Sequence, residues 1–328
     1  MTPFDYARAE GTAAAVKQVA PAPGAAFLAG GTGLLDLMKL HVERHDLLVD
    51  VSRLPLDKVE AVPGGGVRIG ANVRNSDLAH HETIRKNYPV LSEALLSGAS
   101  PQLRNMATVA GNVMQRTRCP YFRDGFSPCN KREPKSGCSS KDGYNRPNAI
   151  LGVSEHCIAA HPSDMCVALA ILDATVKTQG PKGERSIPFA DFHLVPGEAP
   201  ERETVLEHGE LITAVELPAA PWAAKSHYLK VRDRASYEFA LASAAVALEV
   251  AGGVIKTARV ALGGVATKPW RAADADKVLI GQKPSPELFA KAGEAATNGA
   301  LPRPGNAFKV VLARRVVARA LETVAAMA

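Results

Sequence analysis

The chain has 328 residues, 46% of them hydrophobic and 22% charged. That balance excludes wholesale disorder and is enough for about two domains. The longest apolar stretch, 239–254, is broken by Glu249 and Gly252–Gly253, so no membrane insertion is expected. The net charge of +6 leaves nucleic acid, an acidic cofactor and an acidic partner surface open.

The first residues lack a basic segment followed by an apolar run. The chain is therefore expected to fold in the cytoplasm without a signal peptide of its own. A periplasmic location would then require export with a partner subunit. In a reducing compartment, its five cysteines point to metal or redox work more than to disulfides.

In chain order, residues 13–19 have the apolar spacing of a helix, and 26–29 read as a strand stopping at Gly30 and Gly31. A helix is expected at 34–40. Strands are expected at 47–51, 59–62 and 67–70. Ser76 is placed to cap a short helix before His80, and a further helix is expected at 89–97.

From 116 to 154 regular pattern disappears, and loops of this length are often functional. Here lie Arg116, Arg118, Arg123, Lys131, Arg132, Lys135, Lys141 and Arg146, against only Asp124, Glu133 and Asp142. Most of the net positive charge therefore sits in this stretch, which is expected to dock a partner through Lys131, Arg132 and Lys135. A helix is expected at 164–172, then strands at 175–178 and 211–217. Residues 218–224 read as a linker. Beyond it, an antiparallel sheet (227–232, 240–250, 254–262) and helices at 272–279, 286–297 and 308–326 are expected to form an α+β domain.

Two features carry chemistry. The turn Ala29-Gly30-Gly31-Thr32-Gly33-Leu34 joins a strand to a helix. Such a turn lets a ligand approach the backbone and offers N–H groups to an anion, with pyrophosphate the natural candidate. A ligand-free tight turn fits the same residues. No Lys-Ser/Thr follows, which argues against nucleotide hydrolysis.

The second feature is Cys119, Cys129, Cys138 and Cys157, with Cys166 beyond. No close pair of the structural-zinc kind occurs among them. Four thiolates in a loop can hold a [4Fe–4S] cluster, and free buried thiols are the alternative. The loop's aromatics and cations would also suit a nucleic-acid-binding module with a metal staple.

Several segments together resemble one family. AGGTGLLDLM at 29–38 is similar to the FAD pyrophosphate loop of the medium subunit of molybdenum hydroxylases, the family of xanthine dehydrogenase and aldehyde oxidoreductase. LRNMATVAGN at 103–112 and HPSDM at 161–165 resemble its other flavin segments. YLKVRDRASY at 228–237 and LGGVA at 262–266 resemble signatures of its C-terminal domain. The cysteine loop is similar to that of the subgroup of bacterial periplasmic aldehyde oxidases, whose flavin subunit also carries [4Fe–4S].

The resemblance implies an α+β fold: a two-lobed FAD-binding domain of the vanillyl-alcohol-oxidase (PCMH) type over 1–218, with its [4Fe–4S] loop at 116–157. A smaller C-terminal domain of the CO dehydrogenase flavoprotein type would cover 225–328. It further implies FAD contacts at Ala26, Phe27, Leu28, Ala29, Gly30, Gly31, Thr32, Gly33, Leu34, Asn105, Thr108, Gly111, Asn112, Ile158, Asp164, Ile212 and Lys230. The cluster ligands would be Cys119, Cys129, Cys138 and Cys157, with Cys166 a buried small side chain. Position 33 departs from relatives, which often carry a small polar residue there.

On this reading the chain passes electrons from partner subunits through FAD to a terminal acceptor, in a molybdenum-dependent aldehyde oxidoreductase or a xanthine dehydrogenase-type complex acting on another substrate. No general base or nucleophile is a catalytic candidate, because the flavin is the reactive group. Two [2Fe–2S] clusters need eight thiolates, and the chain has five cysteines. The reading therefore requires a small [2Fe–2S] subunit and a large molybdenum-cofactor subunit, forming a heterotrimer.

Overall fold

The computed structural model describes residues 1–327. The first lobe is a parallel sheet of β1 (Asp5–Arg8), β2 (Ala25–Leu28) and β3 (Leu47–Asp50), in the order β1-β3-β2. Parallel neighbours need crossover connections. Helices Thr12–Val19 and Leu34–Lys39 lie in them. Ala15, Val16 and Val19 of the first helix pack with Ala25, Val49 and Val51 of the sheet side.

The second lobe is an antiparallel sheet. Its strands are β4 (Val59–Val62), β5 (Gly66–Gly70), β6 (Thr175–Gly180), β7 (Gly183–Pro188) and β8 (Leu211–Leu217), ordered β4-β5-β8-β6-β7. Its core includes the helices Asn75–His80, Pro89–Ser97 and Asp164–Ile171. All but one residue of Asp164–Ile171 is buried. A helix apolar on every side belongs in an interior, and this one is flanked by the sheets of both domains.

The C-terminal domain pairs β9 (Ser226–Val231), β10 (Ala242–Ala251), β11 (Val254–Gly263) and β12 (Trp270–Arg271) in the order β12-β11-β10-β9. Alternation along β10 divides its two faces. Ala245 and Ala247 join the second lobe's core, while Ala244, Val246 and Leu248 join helices Ala273–Leu279, Pro286–Ala296 and Phe308–Ala325. Small residues bring the domains together. A Cβ on Gly263 would stand 2.5 Å from the Val167 side chain. The two-domain α+β architecture is as expected.

Three local expectations need correction. The short helix is Asn75–His80, capped at Arg74, so Ser76 lies inside it. Residues 218–224 are not a free linker, because Ala220 and Ala223 are core residues and Arg259 lies over the Trp222 ring. Lys131 and Arg132 are not docking cations, since they bond inward. Lys131 Nζ donates to the Pro200 carbonyl at 2.9 Å, and Arg132 to those of Tyr121 and Phe122.

Candidate functional site

The glycine turn leaves β2 with little room beneath it. A Cβ on Gly30 would lie 2.1 Å from the Met106 carbonyl oxygen. Gly31 has φ +71°, a conformation glycine adopts without strain. Gly33 has nothing within 4 Å of where its Cβ would stand, so its missing side chain leaves space. Across from the turn, Thr108 caps the helix Val109–Val113, its hydroxyl accepting from Gly111 N–H at 3.2 Å.

Between these loops lies a cleft of about 520 Å³, in the size range of cofactor pockets. Ala26, Phe27, Ala29, Gly30, Gly31, Thr32, Gly33 and Leu34 line it from the first lobe, and Thr108, Gly111 and Ile212 from the second.

The other expected residues stand elsewhere. Leu28 is committed to sheet pairing and its carbonyl accepts from Val51 N–H. Asn105 ends the turn Pro101–Arg104. Asn112 lies behind Gly111, its Oδ1 accepting from Ser163 at 2.7 Å and Gln115 at 2.5 Å. Ile158 is buried, its carbonyl accepting from Ala149 N–H.

Asp164 lines a second pocket of about 40 Å³. Its carboxylate accepts from Lys230 Nζ at 2.7 Å and from the Tyr228 hydroxyl at 2.6 Å. Helix capping is left to Ser163, which accepts from Cys166 N–H.

The cysteine loop closes on itself. Cys119, Cys129, Cys138 and Cys157 all line one small pocket, whereas Cys166 lies in the second lobe's core. Cys129 and Cys138 face each other across an antiparallel bridge. Asn148 Nδ2 points at the Cys119 sulfur at 3.8 Å, and Phe122 N–H donates to the Cys119 carbonyl. Ala159 N–H donates to Cys157 Sγ at 3.4 Å. Burial pushes the Cys157 thiol up to about 12 and raises Cys119 as well.

The loop's cations are largely neutralised within the chain. Arg116 pairs with Glu43 and Glu203, Arg118 and Arg123 with Asp36, and Lys131 with Glu203. Arg132 pairs with Asp124, Lys141 with Glu155, and Arg146 with Asp233. Among the described residues, only Lys135 of the eight makes no ion pair.

The cleft and the cysteine pocket are neighbours. Arg118 and His161 line both the cleft and the Asp164 pocket, and Cys119 lines both the Asp164 pocket and the cysteine pocket. Arg118 Nε and His161 Nε2 are buried without hydrogen-bond partners, which suits a polar group of a ligand. Burial holds His161 well below its ordinary value and His193 down to about 4. Arg118 and His193 are site residues that sequence reasoning missed. His161 was visible only as part of a motif, and His193 carried no local signal.

The family model for the FAD binding domain in molybdopterin dehydrogenase matches residues 2–220, and that for the CO dehydrogenase flavoprotein C-terminal domain matches 227–324. The chain belongs to the family of FAD-binding subunits of molybdopterin dehydrogenases.

Among its relatives, the aldehyde oxidoreductase FAD-binding subunit PaoB of Escherichia coli is 53% identical over 100% of both chains. The glyceraldehyde dehydrogenase medium chain of Sulfolobus acidocaldarius is 29% identical, covering 87% of this chain and 84% of its own. In a solved structure of reconstituted CO dehydrogenase from Oligotropha carboxidovorans, the matching chain superposes with a TM-score of 0.78 at 26% identity. The match covers 100% of this chain and 99% of that one.

As a member of this family, the chain is an FAD-dependent oxidoreductase subunit of the molybdenum-hydroxylase type. The cleft fits the cofactor. Its turn exposes backbone where Gly33 leaves open space, and the buried Arg118 Nε lacks a partner. Among the described residues, no helix is long and apolar enough to cross a membrane.

Proposed function

We propose that this chain is the electron-transfer flavoprotein subunit of a molybdenum-dependent aldehyde oxidoreductase. In this reading it takes electrons from the molybdenum and [2Fe–2S] centres of a large and a small partner subunit. It holds FAD and a [4Fe–4S] cluster and delivers the electrons to a terminal acceptor. The observation that carries the reading is the convergence of Cys119, Cys129, Cys138 and Cys157 on one pocket that shares Cys119 with the pocket beside the cleft. The full-length 53% identity to an aldehyde oxidoreductase subunit favours an aldehyde over other substrates.

In this assignment the FAD domain covers 1–218 and the C-terminal domain 225–328. The turn Ala29–Leu34 holds the pyrophosphate, with Ala26, Phe27 and Ile212 along the cleft and Leu28 in the strand behind it. Thr108, Gly111 and Asn112 serve the phosphates and ribityl chain. Asp164 serves a ribityl or ribose hydroxyl, the Ile158 backbone comes close to the isoalloxazine, and Asn105 and Lys230 are further cofactor contacts.

Bound FAD supplies the redox chemistry; the chain's part is to hold it and shield it from water. The four cysteines line one pocket of about 10 Å³ together with Asn148 and Lys131. Asn148 and Ala159 N–H, aimed at sulfur, and Lys131 in the same pocket would stabilise the cluster's negative charge. The nucleic-acid reading loses its motive, because seven of the eight loop cations are already paired.

The test is a visible spectrum with iron and flavin quantified on anaerobically purified protein. About four irons and one FAD per chain are expected. Single Ser substitutions at the four cysteines should abolish iron binding, whereas Cys166→Ser should not. A protein with flavin but no iron would remove the cluster. With the partner subunits present, activity on xanthine but not on aldehydes would remove the aldehyde assignment.

A further inference from the structure

Three ligand-type side chains meet beside the cleft, two histidines from its wall and a cysteine from the core behind it. Ring nitrogens of His161 and His193 and the sulfur of Cys166 lie within 4.8 Å of one another. His161 Nε2 and His193 Nδ1 are both buried, and neither has a hydrogen-bond partner. Native interiors seldom leave two such atoms side by side without a reason.

The tautomer of His193 is fixed. Its Nε2 is 3.0 Å from the Val113 carbonyl, so Nε2 carries the proton and Nδ1 presents a bare lone pair. A metal-bound imidazole almost always donates its other N–H to a carbonyl or carboxylate in this way. His161 Nδ1 is 3.4 Å from Ser163 N–H, close to the outer limit of a hydrogen bond, so little holds the ring in one tautomer.

The trio is separate from the cysteine loop. Cys166 is in the helix Asp164–Ile171, packed in the second lobe's core, while both histidines reach the wall of the cleft.

We propose that His161, Cys166 and His193 form a binding site for one divalent transition-metal ion, zinc by chemistry, with its fourth position open to the cleft. Two imidazoles and a thiolate suit zinc, and three protein ligands leave room for a water. On binding, the Cys166 thiol releases its proton to solvent, and the His161 ring proton moves from Nε2 to Nδ1. No oxidation or reduction occurs. Burial pushes the free Cys166 thiol up to about 12, so the cation beside it is what holds the thiolate. The site would pin the 157–163 segment between the cleft and the cysteine pocket.

The test uses the full-length protein, prepared with its partner subunits and without a histidine tag. It is equilibrated with zinc, passed over a chelating resin and analysed for zinc, iron and flavin. Wild type should retain about one zinc beyond any held by the cysteine loop. Cys166→Ala and His193→Gln should each lose that equivalent at least tenfold, and Cys166→Ala, outside the cleft, should keep flavin and iron. Zinc that is absent from wild type, or unchanged in both variants, overturns the site and leaves a neutral imidazole pair.

Should the variants fail to fold, cobalt(II) decides, with His161, Cys166 and His193 left intact. Thiolate-to-cobalt absorption that survives Ser substitution of the four loop cysteines upholds the site, and its loss overturns it. Zinc without flavin would uphold this site and overturn the flavoprotein reading. Flavin without zinc would do the reverse.

Discussion

Replacing Lys230 with Met should destabilise the protein by about 3–4 kcal/mol, because it strands a buried carboxylate. Lys230 on β9 and Asp164 at the head of the helix Asp164–Ile171 join the C-terminal domain to the second lobe, and their side chains are 4% and 8% exposed. Met keeps the stem's packing and removes the charge. Asp164 then stays ionised without a cation or takes a proton. Removing one partner of a buried pair in this way costs about 3–5 kcal/mol. The Tyr228 hydroxyl, at 2.6 Å, still donates and offsets part of it.

The double variant Lys230→Met/Asp164→Asn removes both charges and should recover at least about 2 kcal/mol relative to the sum of the single variants. Urea unfolding followed by circular dichroism and by flavin release measures this, with coincident transitions required before free energies are compared. A Lys230→Met cost under about 1 kcal/mol, or a double variant equal to the sum, would refute the pair as a buried interdomain lock.

Two other expectations follow from single positions. Lys309 is buried, donates to the carbonyls of Pro147 and Gly264, and is pushed from 10.5 down to about 7 by burial and by Arg146. Its folded value is below its unfolded one, so between about 7 and 10.5 the unfolded chain holds more protons and stability rises with pH. Relative to Lys309→Met, wild type should gain on the order of 1 kcal/mol per pH unit across that window, read from urea midpoints. A flat difference would show that Lys309 titrates normally. In the glycine turn, Gly30→Ala drives a Cβ into the Met106 carbonyl and should weaken FAD binding at least about tenfold, whereas Gly33→Ser enters open space and should retain it. Equal retention by flavin titration would detach the turn from the cofactor.

The elements that sequence made legible are those whose side chains carry a period. Strands β2 to β5, the buried helix Asp164–Ile171 and strands β9 to β11 lie within a residue or two of expectation, because burial dictates their apolar spacing. Strands β1, β7 and the two-residue β12 were not read. Asp5–Arg8 is mostly exposed and Gly183–Pro188 nearly all so, and both are held by backbone pairing to β3 and β6, which leaves little trace in residue type. The loop's basic residues misled for a related reason. Their acidic partners Asp36, Glu43 and Glu203 are remote in sequence, so paired cations looked like a free patch. The same limit hid the His161–His193 contact and the Asp164–Lys230 pair.

The cysteine loop and the glycine turn are mechanically one unit, and a short helix is the joint. Leu34–Lys39 has six residues, too few to be stable alone, so its position depends on what it packs against. Its first turn follows Gly33. Asp36 holds Arg118 and Arg123 of the loop at 3.2 and 2.7 Å. Leu37 sits in one apolar cluster with Cys119, Phe122, Cys129 and Cys157, and it also lines the cleft.

Asp36 is 42% exposed, so its ion pairs add at most about 1 kcal/mol, and Asp36→Asn should barely change global stability. Leu37 is 4% exposed, and Leu37→Ala should cost about 2–4 kcal/mol. It should also lower flavin and iron contents together, because the same side chain supports both walls. Val316→Ala, in the core of the C-terminal domain, serves as the control: it should lower stability without a selective loss of either. If Leu37→Ala lost flavin while keeping all its iron, or the reverse, the two sites would be independent and the helix would be a passive neighbour.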